Sequence, residues 1–304
     1  MASLRDIRKR IKSVKNTQKI TKAMKMVSAA KLRRAQERVL AARPFADKIA
    51  ATAEALARRA AHQGEAPHPL LVTRPEAKKG GRVELLVITS DRGLCGAFNT
   101  NVGRRALRWR FDHKDVHQEV KVSTVGKKAA ETMKREKVPL RKVYENVWDG
   151  LNYQKAQAIA FELTELYTSG AVDAVHIVYN EFVNAATQRI VVDQILPVAA
   201  SAPAAASGTA AAAVVDDGAD FEYEPGQQEL LDALLPRQLA TRIYRAMLES
   251  QAAEHAARMQ AMESASKNAK EMVEALTLFY NRARQAAITK ELMEIIGGAE
   301  ALKG

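Results

Sequence analysis

Three kinds of residue are scarce in this sequence, and each shortage excludes a type of protein. The chain has a single cysteine, Cys95, so it holds no internal disulfide and suits a reducing compartment. Aromatic residues make up only 5% of the chain and alanine is abundant, which favours slim helices in close contact over a thick core. Residues 1–58 contain no glycine and one proline, Pro44, so little there would break a long helix.

Long apolar runs are also missing. The start of the chain is charged and has no apolar stretch typical of a signal peptide. The longest uncharged stretch, 194–215, is interrupted by Pro197, Pro203 and Gly208 and consists largely of alanine and serine. Such a stretch is only weakly apolar and is typical of a flexible linker or surface loop. We therefore expect no direct membrane insertion, although partners could attach the protein to a membrane assembly.

Acidic residues are almost absent from the first forty positions. These positions hold 13 Lys or Arg and two acids, Asp6 and Glu37, a balance of +11 in a chain whose total is +12. Residues 227–304, in contrast, contain ten basic and ten acidic residues. One end of the protein is therefore suited to meet something negative.

The basic N-terminal segment has a helical pattern with one narrow apolar seam. Leu4, Ile7, Ile11 and Val14 recur at spacings of three and four, as expected for a helix that packs on one partner helix. Met24 and Val27 resume the stripe after the polar residues Gln18 and Thr21. A basic stripe follows the same spacing shifted by one residue, about 100° around the helix; it consists of Arg8, Lys12, Lys15, Lys19 and Lys22.

The middle of the chain alternates short apolar strands with helices, which predicts an α/β domain with a mainly parallel sheet. Strands are predicted at 83–90, 119–126, 174–182 and 188–196, and helices at about 99–111, 127–137 and 152–170. From about residue 227 the pattern is helical to the end. Two long terminal helices around an α/β domain predict that the helices pair as an antiparallel coiled coil.

The middle domain offers only weak enzyme signals. The stretch 89–99, TSDRGLCGAFN, lies where phosphate-binding loops occur, but it fits neither glycine-rich nucleotide motif and is interpreted as a tight strand-to-helix turn. His113 and His117 have a metal-ligand spacing without a third ligand, so we expect two solvated histidines. Cys95 is expected to be a small buried thiol. We predict no catalytic, cofactor-binding or metal-binding residue.

The basic stripe leaves three interpretations open. It could bind nucleic acid, lie on an anionic membrane, for which its apolar face is too narrow, or face an acidic protein surface.

The C-terminal tail also bears on the function, because Gly297 and Gly298 interrupt a helical pattern, at a cost of about 1 kcal/mol each relative to alanine. The pair either ends the helix at Gly297 or makes a slim tip that other chains can surround closely.

Four stretches resemble the gamma subunit of F-type rotary ATP synthases, in the family's order and over essentially the whole chain. They are NTQKITKAMKMVSAAKLRRAQ (16–36), RPFA (43–46), TSDRGLCGAFN (89–99) and ITKELMEIIGGAEA (288–301). The Ala-rich stretch 199–219 is longer than the resemblance leads us to expect.

The resemblance implies a long antiparallel two-helix coiled coil and a Rossmann-like α/β domain. The expected segments are a coiled-coil helix over 1–60, a linker over 61–82, the α/β foot domain over 83–198, an Ala-rich flexible loop over 199–226 and the second coiled-coil helix over 227–304.

The resemblance also implies a function. Members are the non-catalytic central rotor shaft of the complex, single in each complex, which couples rotation of the c-ring to conformational cycling of the beta subunits. The implied partners are the alpha and beta subunits, the epsilon subunit and the c-ring, at the cytoplasmic face of the cell membrane. Residues expected to contact the beta subunits are Met24, Arg284, Gln285, Thr289 and Glu291. The alternative is a basic coiled-coil protein that binds nucleic acid.

Overall fold

The structure is a computed structural model that describes residues 3–62, 68–77, 79–198 and 226–301. The predicted Ala-rich loop, except for Gly226, and part of the predicted linker lie outside these residues. The helices and strands, in chain order, are α1 (Leu4–His62), β1 (Arg82–Ile88), α2 (Phe98–His113), β2 (Glu119–Val125), α3 (Lys127–Arg135), β3 (Leu140–Tyr144), α4 (Tyr153–Thr168), β4 (Ala174–Phe182), β5 (Gln188–Leu196) and α5 (Gln227–Ala301).

The chain divides into two compact units whose boundaries cut through both long helices. The first unit combines α1 up to Ala29 with α5 from Arg258, and the second comprises residues 30–257. Both helices run through a proline, Pro44 in α1 and Pro236 in α5. No helix within the described ranges is long and apolar enough to cross a membrane.

The second unit contains a five-stranded sheet in the order β3-β2-β1-β4-β5. The first four strands are parallel, and β5 pairs antiparallel with β4. Chain order moves outward from β1 to β3 and then returns to β4 on the other side of β1. Because parallel crossovers are right-handed, α2 and α3 cover one face of the sheet and α4 covers the other. The prediction of an α/β fold with a mainly parallel sheet is confirmed.

The core on the α2 and α3 side is built by residues that alternate along the central strand. Val83, Leu85 and Val87 of β1 are fully buried there. They pack against apolar side chains of the two helices, namely Val102, Ala106 and Trp109 of α2 and Ala129 and Met133 of α3. The strand is buried on both faces from Val83 to Ile88, as its short apolar run predicts.

Strand β3 is the element that the sequence analysis misses. It is only five residues long, it carries Arg141 and Lys142, and none of its residues is fully buried. Its register with β2 shifts between Val122 and Ser123. A short, charged edge strand lacks the apolar run that identifies a central strand.

Candidate functional site

The first unit contains the candidate protein-interaction surface, and its seam follows a heptad repeat. Buried or half-buried residues of α1 recur at alternating spacings of three and four; they are Leu4, Ile7, Ile11, Val14, Gln18, Thr21, Lys25 and Ser28. The matching residues of α5 keep the same spacing; they are Met262, Ser266, Ala269, Val273, Leu276, Tyr280, Ala283 and Ala287. Period 3.5 on both helices is the signature of a left-handed coiled coil.

Two contacts fix the pairing of these helices as antiparallel. The ammonium of Lys25 lies 2.6 Å from a carboxylate oxygen of Glu263. The guanidinium of Arg8 donates to the hydroxyl of Tyr280 at 2.5 Å and lies 5.5 Å from the centroid of its ring. The number of residues from Arg8 to Lys25 on α1 equals the number from Glu263 to Tyr280 on α5. The residue numbers rise along α1 as those of their partners fall along α5. The predicted antiparallel pairing is therefore confirmed within this unit.

The predicted seam contains two errors, at Met24 and Val27. Met24 is half-buried beside the seam, which passes through Lys25. Val27 is 56% exposed, and the seam passes through Ser28 instead. The sequence analysis skips the polar residues Gln18 and Thr21 and resumes the stripe with the apolar residues Met24 and Val27. The heptad instead continues through polar side chains, so hydrophobicity alone misplaces the seam.

One flank of the α1 seam, the basic flank, consists of Arg8, Lys12, Lys15, Lys19 and Lys22. All five side chains are exposed. Apart from the contact of Arg8 with Tyr280, no ion pair or hydrogen bond to these side chains occurs within the described part of the chain. Their positive charge is left for an outside partner.

The opposite flank, the apolar flank, carries large apolar side chains that nothing covers within this unit. It is formed by Ile20, Met24 and Val27 of α1 together with Met272 and Phe279 of α5. Met24 is half-buried and the other four are more than half exposed. Met272 and Phe279 each precede a seam residue by one position, which places them beside the α1 flank in an antiparallel pair. Exposed apolar surface of this kind marks contacts between proteins.

The end of α5 continues as a helix through Gly297 and Gly298 as far as Ala301. An ordinary helix stop at Gly297, one of the two sequence-based interpretations, is therefore wrong. A Cβ at either glycine would meet nothing within 4 Å. Large apolar side chains precede the pair and are about half exposed or more; they are Ile288, Leu292, Met293, Ile295 and Ile296.

The five predicted contact residues all belong to this unit but do not form one cluster. Four lie on α5 and are exposed, namely Arg284, Gln285, Thr289 and Glu291. Arg284 shares a face with Glu291, and Gln285 shares another with Thr289, roughly 130° away at 100° per residue. Met24 neighbours Lys25, which pairs with Glu263, so Arg284 lies about 30 Å further along the helix axis.

The strand-to-helix stretch 89–99 is a tight turn whose polar groups bond to one another. The side-chain oxygen of Asn99 accepts from the backbone amide and the hydroxyl of Ser90, each at 3.0 Å. The turn also caps the N-terminus of α3, a helix end where an anion could otherwise bind. Asp91 accepts from the amide of Lys127 at 2.9 Å, and Thr89 accepts from the amide of Ala129 at 2.8 Å. Cys95 is buried, as predicted.

The two histidines of α2 and its following turn differ from the prediction. His117 is buried rather than solvated, and its ring stacks on that of His113 with centroids 5.9 Å apart. The ring of His113 in turn stacks on Trp109 at 4.1 Å. Trp109 also contacts His176, whose pKa is lowered to about 4 by burial and then by the charges of the other two histidines. Across the described residues, no group of three potential ligands could hold a metal ion.

A buried charge network in the sheet was also missed by the sequence analysis. Arg141 donates to Glu84 at 2.9 Å and to Glu162 at 2.7 Å. Burial raises the pKa of Glu84, against the opposing effect of Arg141. Burial would also raise the pKa of Glu162, but hydrogen bonds from Arg141 and Lys142 outweigh it and lower this pKa. A glutamate inside the apolar run VELLVITS, at 83–90, was the available signal, because a buried acid needs a buried partner.

Comparison with known proteins agrees with this geometry. The family model described as ATP synthase matches residues 3–302. The ATP synthase gamma chain of Anaeromyxobacter sp. (strain K) is 53% identical over 303 residues and is aligned over 100% of both chains. The chain belongs to the ATP synthase gamma chain family. The gamma chain of Sorangium cellulosum is 46% identical over 338 residues, again over 100% of both chains.

Chains from solved structures of mitochondrial ATP synthases share the fold. A chain of the central stalk and c-ring structure of Tetrahymena thermophila mitochondrial ATP synthase is 26% identical, with a TM-score of 0.56, over 81% of this chain and 99% of that one. A chain of the Euglena gracilis mitochondrial ATP synthase, solved with OSCP, F1 and the c-ring in rotational state 3, has a TM-score of 0.62 and 21% identity, over 98% of this chain and 94% of that one. The second likeness supports the fold alone.

Proposed function

We propose that this chain is the central rotor shaft of an F-type ATP synthase, turning inside a collar of alpha and beta subunits. The observation that carries the proposal is the match to gamma chains over the whole length, at up to 53% identity among the relatives named above. The coiled coil of the first unit supports it, because a shaft needs a long antiparallel helix pair with side chains left for the surrounding subunits. The chain itself is non-catalytic.

The remaining partners follow from the same assembly. The α/β domain is the foot, which sits with the epsilon subunit on the c-ring, and each complex holds a single copy of the chain. The Tetrahymena chain, at 26% identity, belongs to a structure of the central stalk and c-ring, which supports the c-ring as a partner. We place the subunit at the cytoplasmic face of the cell membrane as a peripheral member of the complex.

The shaft works by differential contact. A shaft that contacted all conformations of a beta subunit equally would shift none of them, however tightly it bound. The basic flank and the apolar flank have different contact energies with any one surface. Rotation replaces one flank by the other in front of each beta subunit. A difference of about 1.4 kcal/mol between two conformations changes their ratio tenfold, so a few side-chain contacts suffice to bias open, loose and tight nucleotide-binding states.

The residues proposed to make these contacts are those named by family resemblance. Met24, within the apolar flank, faces the acidic lever of a beta subunit, and the basic flank, on the other side of the seam, presents charge complementary to that lever at another angle of rotation. Arg284 and Gln285 meet a beta-subunit loop, with Thr289 and Glu291 beside them. The exposure of the four α5 side chains supports this assignment, because contact residues must be free of intramolecular partners.

The nucleic-acid alternative rests on the basic flank alone, and no observation favours it. A protein that coated nucleic acid through these lysines would lose affinity steeply as salt rises. The rotor proposal expects only weak, incidental binding to DNA or RNA at physiological ionic strength. Measuring DNA affinity of the purified chain at two salt concentrations separates the two functions.

Co-purification from membranes tests the rotor proposal directly. A tag inserted in the 199–219 stretch, away from the predicted contact residues in sequence, should recover the chain together with alpha, beta and epsilon subunits, the c-ring and ATPase activity. Recovery of a folded chain without the alpha and beta subunits would sink the proposal.

A further inference from the structure

A cleft in the α/β unit is lined by basic groups that the rotor function leaves unexplained. Its volume is about 500 Å³, within the range of small-molecule pockets. Basic groups from three elements and one turn converge on it, namely Arg110 and Lys114 at the end of α2, His117 in the turn that follows, Lys121 of β2 and Arg141 of β3. The cleft lies at the amino-terminal ends of β2 and β3, opposite the edge where α/β folds usually bind nucleotides.

Two of these cations are not neutralised by the protein. Arg141 is held by Glu84 and Glu162, and Lys121 lies 3.4 Å from Glu119, the one acid that lines the cleft. No ion pair within the described residues involves Arg110 or Lys114; Lys114 only covers the ring of Phe111 at 4.6 Å. The surplus positive charge of the cleft therefore comes from the last turn of α2 and the residue that follows it.

Unsatisfied polar atoms lie at the same place. The Nε of Arg110 is buried and has no hydrogen-bond partner. His117 is 8% exposed, and its buried Nδ1 also lacks a partner. Buried polar atoms in native proteins are nearly always satisfied, so those without a partner in the protein point to a water, an ion or a ligand.

The end of a helix explains only part of this arrangement. Cations are favoured near helix C-termini because the last carbonyls carry partial negative charge, which accounts for Arg110 and Lys114. The helix end does not account for the concave shape of the cleft. It also does not explain why Lys121 and Arg141, from two separate strands, line the same cleft. Convergence of cations on a cleft is the arrangement that binds phosphate groups.

We propose that this cleft binds a phosphate-bearing anion through Arg110, Lys114 and His117. The phosphate belongs either to a free ligand or to the headgroup of an anionic phospholipid, and binding to vesicles separates the two. None of the residues proposed to contact the beta subunits takes part, so this site and the rotor function can fail independently.

Calorimetry on the purified full-length chain tests the site with inorganic phosphate as the probe. The double variant Arg110→Gln plus Lys114→Gln should weaken phosphate binding on the order of tenfold, because it removes two charge-assisted contacts. The matched control, Arg104→Gln plus Arg105→Gln, removes the same charge from exposed positions on the same helix and should leave the affinity unchanged. Lys114→Gln alone, at an exposed position, gives the same direction of change without risk to folding.

Vesicles identify the source of the phosphate. Cosedimentation with phosphatidylcholine vesicles, with and without cardiolipin, should depend on Arg110 and Lys114 if the cleft takes a lipid headgroup. Phosphate binding that depends on these residues without cardiolipin-dependent cosedimentation assigns a free ligand. Absence of both, or equal losses in the cleft variant and the control variant, overturns the proposal.

The ring of His117 gives a readout that general charge effects would not move. Burial and then the charge of His113 lower the pKa of His117. The cations Arg110, Lys114, Lys121 and Arg141 face the same cleft and also disfavour the imidazolium, whereas Glu119 favours it. A bound phosphate should raise the pKa of His117. NMR titration of a chain labelled at its six histidines measures this change. A His117 titration that phosphate does not alter would also overturn the proposal.

Discussion

The guanidinium of Arg8 both donates to the hydroxyl of Tyr280 at 2.5 Å and lies 5.5 Å from the centre of its ring. The two residues are 272 positions apart in the chain. Tyr280 occupies a seam position, so a member of the basic flank reaches across to the partner helix. This contact fixes the register of the coiled coil near the start of α1.

Removal of this contact should have a measurable but modest effect on the stability of the chain. Arg8→Ala or Tyr280→Phe should each lower the free energy of unfolding by about 1 kcal/mol, the usual size of an exposed cation–π contact or hydrogen bond. The double variant should cost less than the sum of the two. Denaturant unfolding measures this; Arg5→Ala, at an exposed position on the same helix, is the control, and strict additivity would contradict the contact.

Two isoleucines of α1 should behave oppositely. Ile7 is 2% exposed in the seam, whereas Ile20 is 60% exposed on the apolar flank. Ile7→Ala should therefore destabilise the chain by about 2–4 kcal/mol through the loss of buried methylene groups. Ile20→Ala should leave the unfolding curve of the isolated chain unchanged and reduce ATPase activity of the assembled complex. Equal destabilisation by both variants would show that the seam is misassigned.

Acid should destabilise the α/β unit through His176. Its pKa is lowered to about 4 from an ordinary value of 6.5, so the folded state binds fewer protons than the unfolded state between these values. The stabilisation is complete above about pH 6.5 and is lost as the pH falls towards 4, by at most about 3 kcal/mol. His176→Gln should flatten the pH dependence of the melting temperature in this window. An unchanged slope would contradict the role of His176 in this pH dependence.

Gly126 should tolerate no side chain. Its φ is +95°, and a Cβ there would lie 2.2 Å from the carbonyl oxygen of Thr89. Gly126→Ala should therefore cost about 2 kcal/mol or more, from the backbone conformation and the clash with a neighbouring main chain. Gly93→Ala, where a Cβ would meet nothing within 4 Å, should be nearly neutral. Thermal unfolding of the two variants compares them, and similar melting temperatures would contradict this account.

Arg284→Ala plus Gln285→Ala should impair coupling in the assembled complex. Both side chains are exposed, so the isolated chain should stay folded, while ATP-driven proton pumping should fall severalfold relative to wild type. The matched control is Asn281→Ala plus Arg282→Ala, two exposed residues almost one turn earlier on α5. Normal coupled turnover in the first variant would remove Arg284 and Gln285 from the proposed contact set.

The elements that the sequence predicts well are those whose residues repeat. Periodicity places both long helices, because a buried face must recur at the period of the helix, and short apolar runs place four strands. Strand β3 and the polar half of the α1 seam are not predicted, because Arg141, Gln18 and Thr21 are polar at positions where a pattern search expects apolar residues. Pairing across the chain, such as that of Arg141 with Glu84, is set by tertiary contact and leaves no local pattern. The contact residues are named by resemblance, because exposed side chains carry no periodic signal.

Gly297 and Gly298 have a consequence for how the end of α5 is held. Each glycine lowers helix stability by about 1 kcal/mol relative to alanine, and the side chains just before them are exposed rather than packed on α1. When such a helical end binds, part of the binding free energy is offset by the cost of ordering it. The collar would therefore grip it more weakly than it would grip an alanine-rich end. Weak binding of this end favours rotation, because tight binding of the shaft at one angle would oppose the next rotational step.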